Sequence, residues 1–314
     1  MSRFTIEQIT RGGFAVEQLR NENTGEWIEI IPALGGMVHR LALGRNGPHE
    51  LLAFDTDQEL QTNPLFLGRM LFPFSDRIPR ARYIYENRIF HLTANCAEEP
   101  SAIHGLVYNQ AFSILNRGLD FRSCALVLEY RIRPERFPGY PFDITLKIEY
   151  ILTSAGFELK FEIFNQGTAA APLALGWHPY FSFDRSFEKV TLQNDSREYV
   201  EVGPDLIPML NLLQTKDSAF DFSKAAPVAN REIDITLACP ENGRTILAGK
   251  SRKILLFQDP RFFKYTQIYI PKDHGSIAVE PLSAATNAFN FHGLGLKVLP
   301  PGRRLQAIVR VQVE

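Results

Sequence analysis

The stretch FDITLKIEYILTSAGFELKFEIF, residues 142–164, decides the fold class. Ile144, Leu146 and Ile148 alternate with Thr145, Lys147 and Glu149, and after the turn residues TSAG the alternation resumes. Phe157, Leu159, Phe161 and Ile163 then alternate with Glu158, Lys160 and Glu162. Successive side chains of a strand point to opposite faces, so two such runs joined by a short polar turn read as an antiparallel hairpin with one apolar face. The same period recurs outward in both directions. It marks YIYENRIFHL, residues 83–92, with a tight turn at Glu86-Asn87, WIEIIP after NENTG, and the C-terminal LQAIVRVQVE after PPG. Few stretches carry apolar residues at i, i+3, i+4 and i+7. DTDQELQTN, residues 55–63, is the one expected short helix. The expectation is an all-β protein, a large antiparallel β-sandwich of two packed sheets. No linker, repeat or low-complexity tract divides the chain, so residues 1–314 are expected to form a single domain.

Composition narrows the function classes. The 314 residues are 45% hydrophobic and 22% charged, with 34 basic against 35 acidic side chains. That balance supplies no broad electrostatic footprint for nucleic acid or an anionic membrane. No apolar run reaches the roughly 18 residues of a membrane span. Cys96, Cys124 and Cys239 are far apart and odd in number, which fits neither a metal-binding CxxC pair nor a disulfide framework. The N-terminal MSRFTIEQITRGGFAVEQLR lacks the apolar core of a secretory signal. A reduced, cytoplasmic protein is the expectation.

Four stretches set polar groups in apolar frames: GRMLFPFSDRIPRARY (68–83), SAIHGLVYN (101–109), ALGWHPYFSF (174–183) and IAVEPLSAATNAFNFHG (277–293). His178 and Glu280 each precede a proline, which pushes them to extended backbone and restricts where their side chains point. Each stretch leaves two readings open. His178 is a hydrogen-bonded core imidazole or a placed acid/base, and Glu280 is a strand-end partner for an arginine or a catalytic carboxylate. Arg77 beside apolar LFPF needs a carboxylate or a ligand hydroxyl, and His104 before Gly105 is a turn histidine or a ligand contact.

Taken in order, FPFSDRI, HG, GWHPYF and VEP with NAFN resemble the aldose 1-epimerase (galactose mutarotase) family over most of the chain. The resemblance implies a large β-sandwich that interconverts sugar anomers without cofactor or metal. It places the catalytic base on Glu280 and the catalytic acid on His178. The sugar-binding residues fall on His104, Arg77 and, by a weaker match in REIDITL, Asp234. Asp76 stands where the family pattern has asparagine and Phe112 where many members carry tryptophan, departures that bear on substrate preference. The implied partner is a small-molecule sugar, an aldohexose or its phosphate, with no nucleic acid and no membrane.

Candidate aromatic walls are Trp177, Tyr180, Tyr269 and Phe289, and Asn63, Asn109 and Gln267 are candidate hydroxyl contacts. Were the sugar phosphorylated, Arg69, Arg80, Arg82, Arg261 and Lys264 are the candidate anion ligands. Three competitors follow from the same residues. A non-catalytic sugar-binding protein would not need both His178 and Glu280. A metal enzyme would want a closer pair of histidines, and a glycoside hydrolase a second carboxylate beside Glu280.

Overall fold

The computed structural model of the protein describes residues 3–44, 47–96, 99–203, 206–229, 231–272 and 275–314. The deciding hairpin forms as read. Strand Ile144–Thr153 pairs antiparallel with Gly156–Asn165, Ile148 faces Phe161, and Thr153 and Gly156 close the turn. Leu146, Ile148, Tyr150, Phe157, Leu159 and Phe161 are all buried on one face. The hairpin lies within a nine-stranded sheet. On one side it continues through Ser123–Ile132 to Ser113–Leu119. On the other lie the C-terminal Arg304–Val313, then Lys253–Gln258, Arg244–Ala248, Thr191–Asn194 and Ala226–Pro227.

A second, eight-stranded sheet runs Pro208–Gln214, Glu198–Val202, Asp234–Ala238, Tyr265–Tyr269, Ser276–Leu282, Gly176–Trp177 and Met70–Leu71, with Tyr180–Ser182 also on Ser276–Leu282. The two sheets meet through their apolar faces. Phe157 of the first lies edge-on to Trp177 of the second at 6.2 Å, and Phe161 meets Phe263 at 6.4 Å. Trp177 is fully buried there. Removing a side chain of that size from water stabilises the fold by roughly 4–6 kcal/mol. An N-terminal five-stranded sheet, from Phe4–Arg11 to His49–Glu50, contributes Leu19, Ile28 and Leu41 to the same contiguous core, which extends to Val311.

Two local expectations have different outcomes. The hairpin at Glu86-Asn87 is present, with Tyr85 paired to Arg88 and both turn residues at positive φ, 48° and 58°. These are the paired left-handed conformations of a type I′ turn, whose twist matches that of the strands. The expected helix over residues 55–63 is not formed. The segment makes one capped turn, in which the Thr56 amide and hydroxyl both donate to the Glu59 carboxylate and the Asn63 amide donates to the Glu59 carbonyl at 2.8 Å. Pro64 disfavours helical backbone at Asn63, and one turn does not recover the cost of helix nucleation. Among the described residues there is no α-helix, only short 3-10 turns.

Candidate active site

The strand Ser276–Leu282 is buried along its whole length. Ile277 and Val279 join the main core, whereas Ala278 belongs to a small separate cluster with Tyr180 and Leu67 on the opposite face. That opposite face is the floor of a cleft of about 780 Å³. Strand register orders its side chains into two adjacent rows. One row runs Tyr180, Ala278, Tyr269, Asp234. The other runs Glu280, Gln267, Thr236, and His178 extends it, because the pairings Gly176↔Leu282 and Tyr180↔Ala278 leave His178 opposite Glu280.

The Val279 amide donates to the Pro179 carbonyl, so the neighbouring His178–Glu280 couple is a non-hydrogen-bonded pair, the closer of the two antiparallel spacings. The backbone polar groups of His178 turn to the next strand instead. Its amide donates to the Arg69 carbonyl at 3.0 Å, and its carbonyl accepts from Gly68 at 2.9 Å. Two residues facing one, with the first a glycine at φ +69°, is the geometry of a glycine bulge. A Cβ at Gly68 would fall 2.0 Å from the Val38 carbonyl oxygen, so both the conformation and the space demand glycine.

His178 Nε2 and Glu280 Oε1 are 3.5 Å apart, with both residues under 5% exposed. The His104 ring stands perpendicular to that of His178 at 4.9 Å. Ile103 pairs with Arg77, the His104 amide donates to the Asp76 carbonyl at 3.0 Å, and His104 itself is at φ 62°. Gly105 lies so close to the Phe72 backbone that a Cβ would come within 2.3 Å of its carbonyl oxygen. Arg77 is half-buried, lines the cleft and forms an ion pair with Glu99. Asp76 accepts a hydrogen bond from the Thr286 hydroxyl. Asp234 is exposed to the cleft opening and accepts from Gln267 Nε2 at 2.6 Å, while the Gln267 oxygen accepts from the Thr236 hydroxyl.

Burial sets the electrostatics. It holds the His178 imidazole well below its usual range, with His104 adding to the effect, and lowers His104 to about 3, helped by Arg77. Glu280 is pushed well above the usual carboxylate range by burial and then by the charges of Asp76 and Asp234. Asp234 is pushed up to about 6, by desolvation first and Asp76 second. The pair therefore disfavours separated charge while holding one proton between its two members. The buried Nδ1 atoms of His104 and His178 have no hydrogen-bond partner among the described residues. A buried polar atom without a partner is costly to a fold and marks a place where a ligand or solvent completes the bonding.

The five residues singled out by the sequence thus converge on one cleft: Glu280, His178, His104, Arg77 and Asp234 all line it. Of the four aromatic candidates, Tyr180 and Tyr269 line the cleft, whereas Trp177 and Phe289 are core, the latter packed on Phe74 and Tyr83. Gln267 sits beside Glu280, but the carboxamide of Asn63 is engaged with the backbone of Leu67, and Asn109 lies exposed and bonded to Gln110.

The candidate phosphate ligands do not gather. Arg69 spends three donor contacts on the carbonyls of Leu34, Tyr108 and Leu60. Arg80 and Arg82 are exposed and not among the residues lining the cleft, Arg261 pairs with Asp259 at a separate groove, and the Lys264 ammonium donates to the Pro260 carbonyl. Phe112 stacks near Tyr130 and does not line the cleft. Sequence reasoning missed Phe66, Tyr108, Thr236 and Thr286 on the cleft wall. Thr236 was within reach, being two residues from Asp234 on one strand and hence on its face.

A family model described as aldose 1-epimerase matches residues 19–312. The uncharacterized protein YihR of Escherichia coli (strain K12) is 26% identical over 241 residues, 76% of each chain. A galactose mutarotase-like protein from Clostridium acetobutylicum has a similar fold with a TM-score of 0.88 at 17% identity, covering 99% of this chain and 98% of that one. Galactose 1-epimerase from Lactobacillus acidophilus NCFM gives 0.83 at 14% identity, covering 100% and 99%. At these identities the structural likeness is one of fold.

Proposed function

The chain belongs to the aldose 1-epimerase family, and from that premise we propose that it interconverts the α and β anomers of an aldohexose, with Glu280 as base and His178 as acid. The observation that carries the reading is the facing pair itself: an imidazole and a carboxylate 3.5 Å apart at the floor of a cleft, Glu280 on the strand Ser276–Leu282 and His178 in the link between Gly176–Trp177 and Tyr180–Ser182. The C1 hydroxyl and the ring oxygen of a pyranose are bonded to the same carbon, so two groups set side by side reach both. Glu280 takes the proton of the C1 hydroxyl while His178 gives one to the ring oxygen. The C1–O5 bond breaks, the aldehyde rotates, and closure on the other face reverses both transfers.

The proton count of the pair does not change through this cycle. Imidazolium with carboxylate before ring opening, and imidazole with carboxylic acid after it, hold the same single proton. Burial favours the second distribution, which is the form complementary to the open-chain aldehyde. A bound sugar whose hydroxyl and ring oxygen face the two groups brings the first within reach. His104 and Arg77 meet the ring and its hydroxyls, and Gln267 on the polar row and Asp234 on the row beside it donate and accept. General acid and base help of this kind is worth about 10²–10⁴-fold per group.

A sugar phosphate is less well served. Of the five cations proposed for it only Arg69 lines the cleft, with its guanidinium spent on three carbonyls, and Asp76, Asp234 and Glu280 line the cleft beside Arg77 and Lys272. The test is a polarimetric and NMR anomerisation assay on fresh α-glucose, α-galactose and glucose 6-phosphate. Acceleration of a free sugar above that of its phosphate is expected. Binding without acceleration would make the protein a carbohydrate-binding module, and preference for the phosphate would overturn the assignment of substrate.

A further inference from the structure

Of the eleven non-glycine residues at positive φ among the described residues, five line the cleft: Asn63, Phe66, Asp76, His104 and Leu206. Asparagine and aspartate adopt this conformation readily, but for a bulky side chain such as phenylalanine it is an outlier that the surroundings must enforce. Phe66, at φ 55°, is such a case. Outliers of this kind collect at functional sites, and the inference runs from the outlier to the function.

The enforcing residue is Asn63. Its buried carboxamide grips Leu67 twice, accepting from the Leu67 amide at 2.7 Å and donating to the Leu67 carbonyl at 3.0 Å. The Phe66 amide donates to the Asn63 carbonyl at 3.0 Å, and the Phe66 carbonyl accepts from Arg69 at 3.1 Å. The loop is closed on both sides of Phe66, so its ring has a fixed seat. Core burial is not what this arrangement achieves, because Phe66 remains partly exposed in the cleft wall. The ring stands edge-on to His104 at 4.6 Å and to Tyr108 at 5.0 Å. His104 in turn meets His178, which stacks on Tyr180 at 5.1 Å. One wall of the cleft is thus a run of rings, and the polar row of Glu280, Gln267 and Thr236 supplies hydrogen bonds. A pyranose has matching parts, hydroxyls around its edge and C–H groups on its faces. Pockets that take such ligands combine apolar area with a few placed polar groups.

We propose that Phe66 is the platform on which the C–H face of the sugar ring rests, and that Asn63 is the positioning residue that holds the platform over His104. This rests on the sugar-ring reading of the cleft and adds the residue that selects for a closed ring over an open chain.

The experiment measures affinity by calorimetry, separately from turnover. The probes are glucose, galactose, methyl α-glucoside, which cannot open, and glucitol, which carries the hydroxyls without a ring. Phe66→Ala should weaken binding of the ring sugars about tenfold and raise KM to match, with kcat changed far less. Phe66→Tyr should bind within about twofold of wild type, which guards against a folding defect as the cause. Asn63→Ala should weaken binding in the same direction, and the double variant should bind no worse than Phe66→Ala, since Asn63 acts through Phe66. Ring sugars should outbind glucitol in wild type and lose that advantage in Phe66→Ala. Unchanged affinity in Phe66→Ala, additive losses in the double variant, or no binding of any ring probe by wild type would overturn the platform. Phe66-dependent binding without any anomerisation would leave the platform standing and defeat the catalytic reading instead.

Discussion

Replacing Arg69 by methionine should cost the fold about 3–5 kcal/mol, and the structure says why. Arg69 is 2% exposed, and its guanidinium donates to Leu34 O at 2.7 Å, Tyr108 O at 2.8 Å and Leu60 O at 3.0 Å. Methionine preserves reach and volume but strands three acceptors. Each buried acceptor left dry costs about 1–3 kcal/mol, so the gross loss is roughly 3–9 kcal/mol. Against this stands relief from burying a cation, a burden visible in the Arg69 guanidinium being lowered to about 10. Asp55 pulls the other way. Its buried carboxyl, already pushed up to about 6 by desolvation, loses the one nearby cation that offsets it. Weighed against the relief of burying no cation, the net cost comes to about 3–5 kcal/mol. In a chain of this size each kcal/mol moves the melting midpoint by about 2–4 °C, so Tm should fall by about 10 °C. Thermal denaturation followed by circular dichroism at pH 7 reads this directly. Arg69→Lys should recover only part of the loss, since one ammonium cannot occupy the positions of two separate guanidinium nitrogens. A fall of less than about 2 °C for methionine would refute the clamp as a stabilising device.

Other perturbations separate the roles of the cleft residues. Glu280→Gln and His178→Asn should each slow anomer exchange by at least about 100-fold, and the double variant should be about as slow as the worse single one; near wild-type NMR exchange in Glu280→Gln would make the glutamate structural. The pH profile of kcat/KM should be bell-shaped, because adding a second proton to the pair or removing its only one stops the cycle. Asp76→Asn keeps an acceptor for Thr286 but removes a charge that raises Glu280, so the acidic limb should move to lower pH, and an unmoved limb would show that the charge is not felt. Glu280→Gln should also melt higher than wild type at pH 8 but not at pH 4. A carboxyl whose folded pKa is raised binds more protons folded than unfolded, so its contribution to stability is lost as pH rises; equal midpoints at both pH values would contradict this. Arg77→Ala should raise KM while leaving kcat within a few-fold, and unchanged values of both would remove it from the binding face.

The fold was legible wherever one face of a strand is wet. In residues 144–163 polar and apolar side chains alternate because one face meets solvent and the other the second sheet. The central strand Ser276–Leu282 lacks such alternation, being buried along its whole length. Only its extended backbone was legible, from the proline that follows Glu280. The site residues were legible as types but not as neighbours: nothing in the sequence shows that position 178 faces 280, because register depends on the bulge at Gly68 and on strands far apart in the chain. Trp177 and Tyr180 illustrate the limit. Both belong to one short aromatic run, yet one turns into the core and the other into the cleft, as alternation requires once the phase is known. Phe66 carried no signal at all, since a left-handed phenylalanine is made by its neighbours and not by its own preference.

The opposition of His178 and Glu280 across a strand pair has a further consequence. Their separation is a sheet dimension, about 4.5 Å between α-carbons for a non-hydrogen-bonded pair, and it is inherited from peptide geometry. Much of the remaining cleft wall is borne on the connections, such as the segment carrying Phe66 and that carrying His104. Connections accept insertion and replacement far more readily than a buried ladder does. Under the proposed function, the molecule keeps its proton-transfer gauge in one material and its choice of guest in another. A new guest can be accommodated by rewriting a loop, with the gauge left as it was.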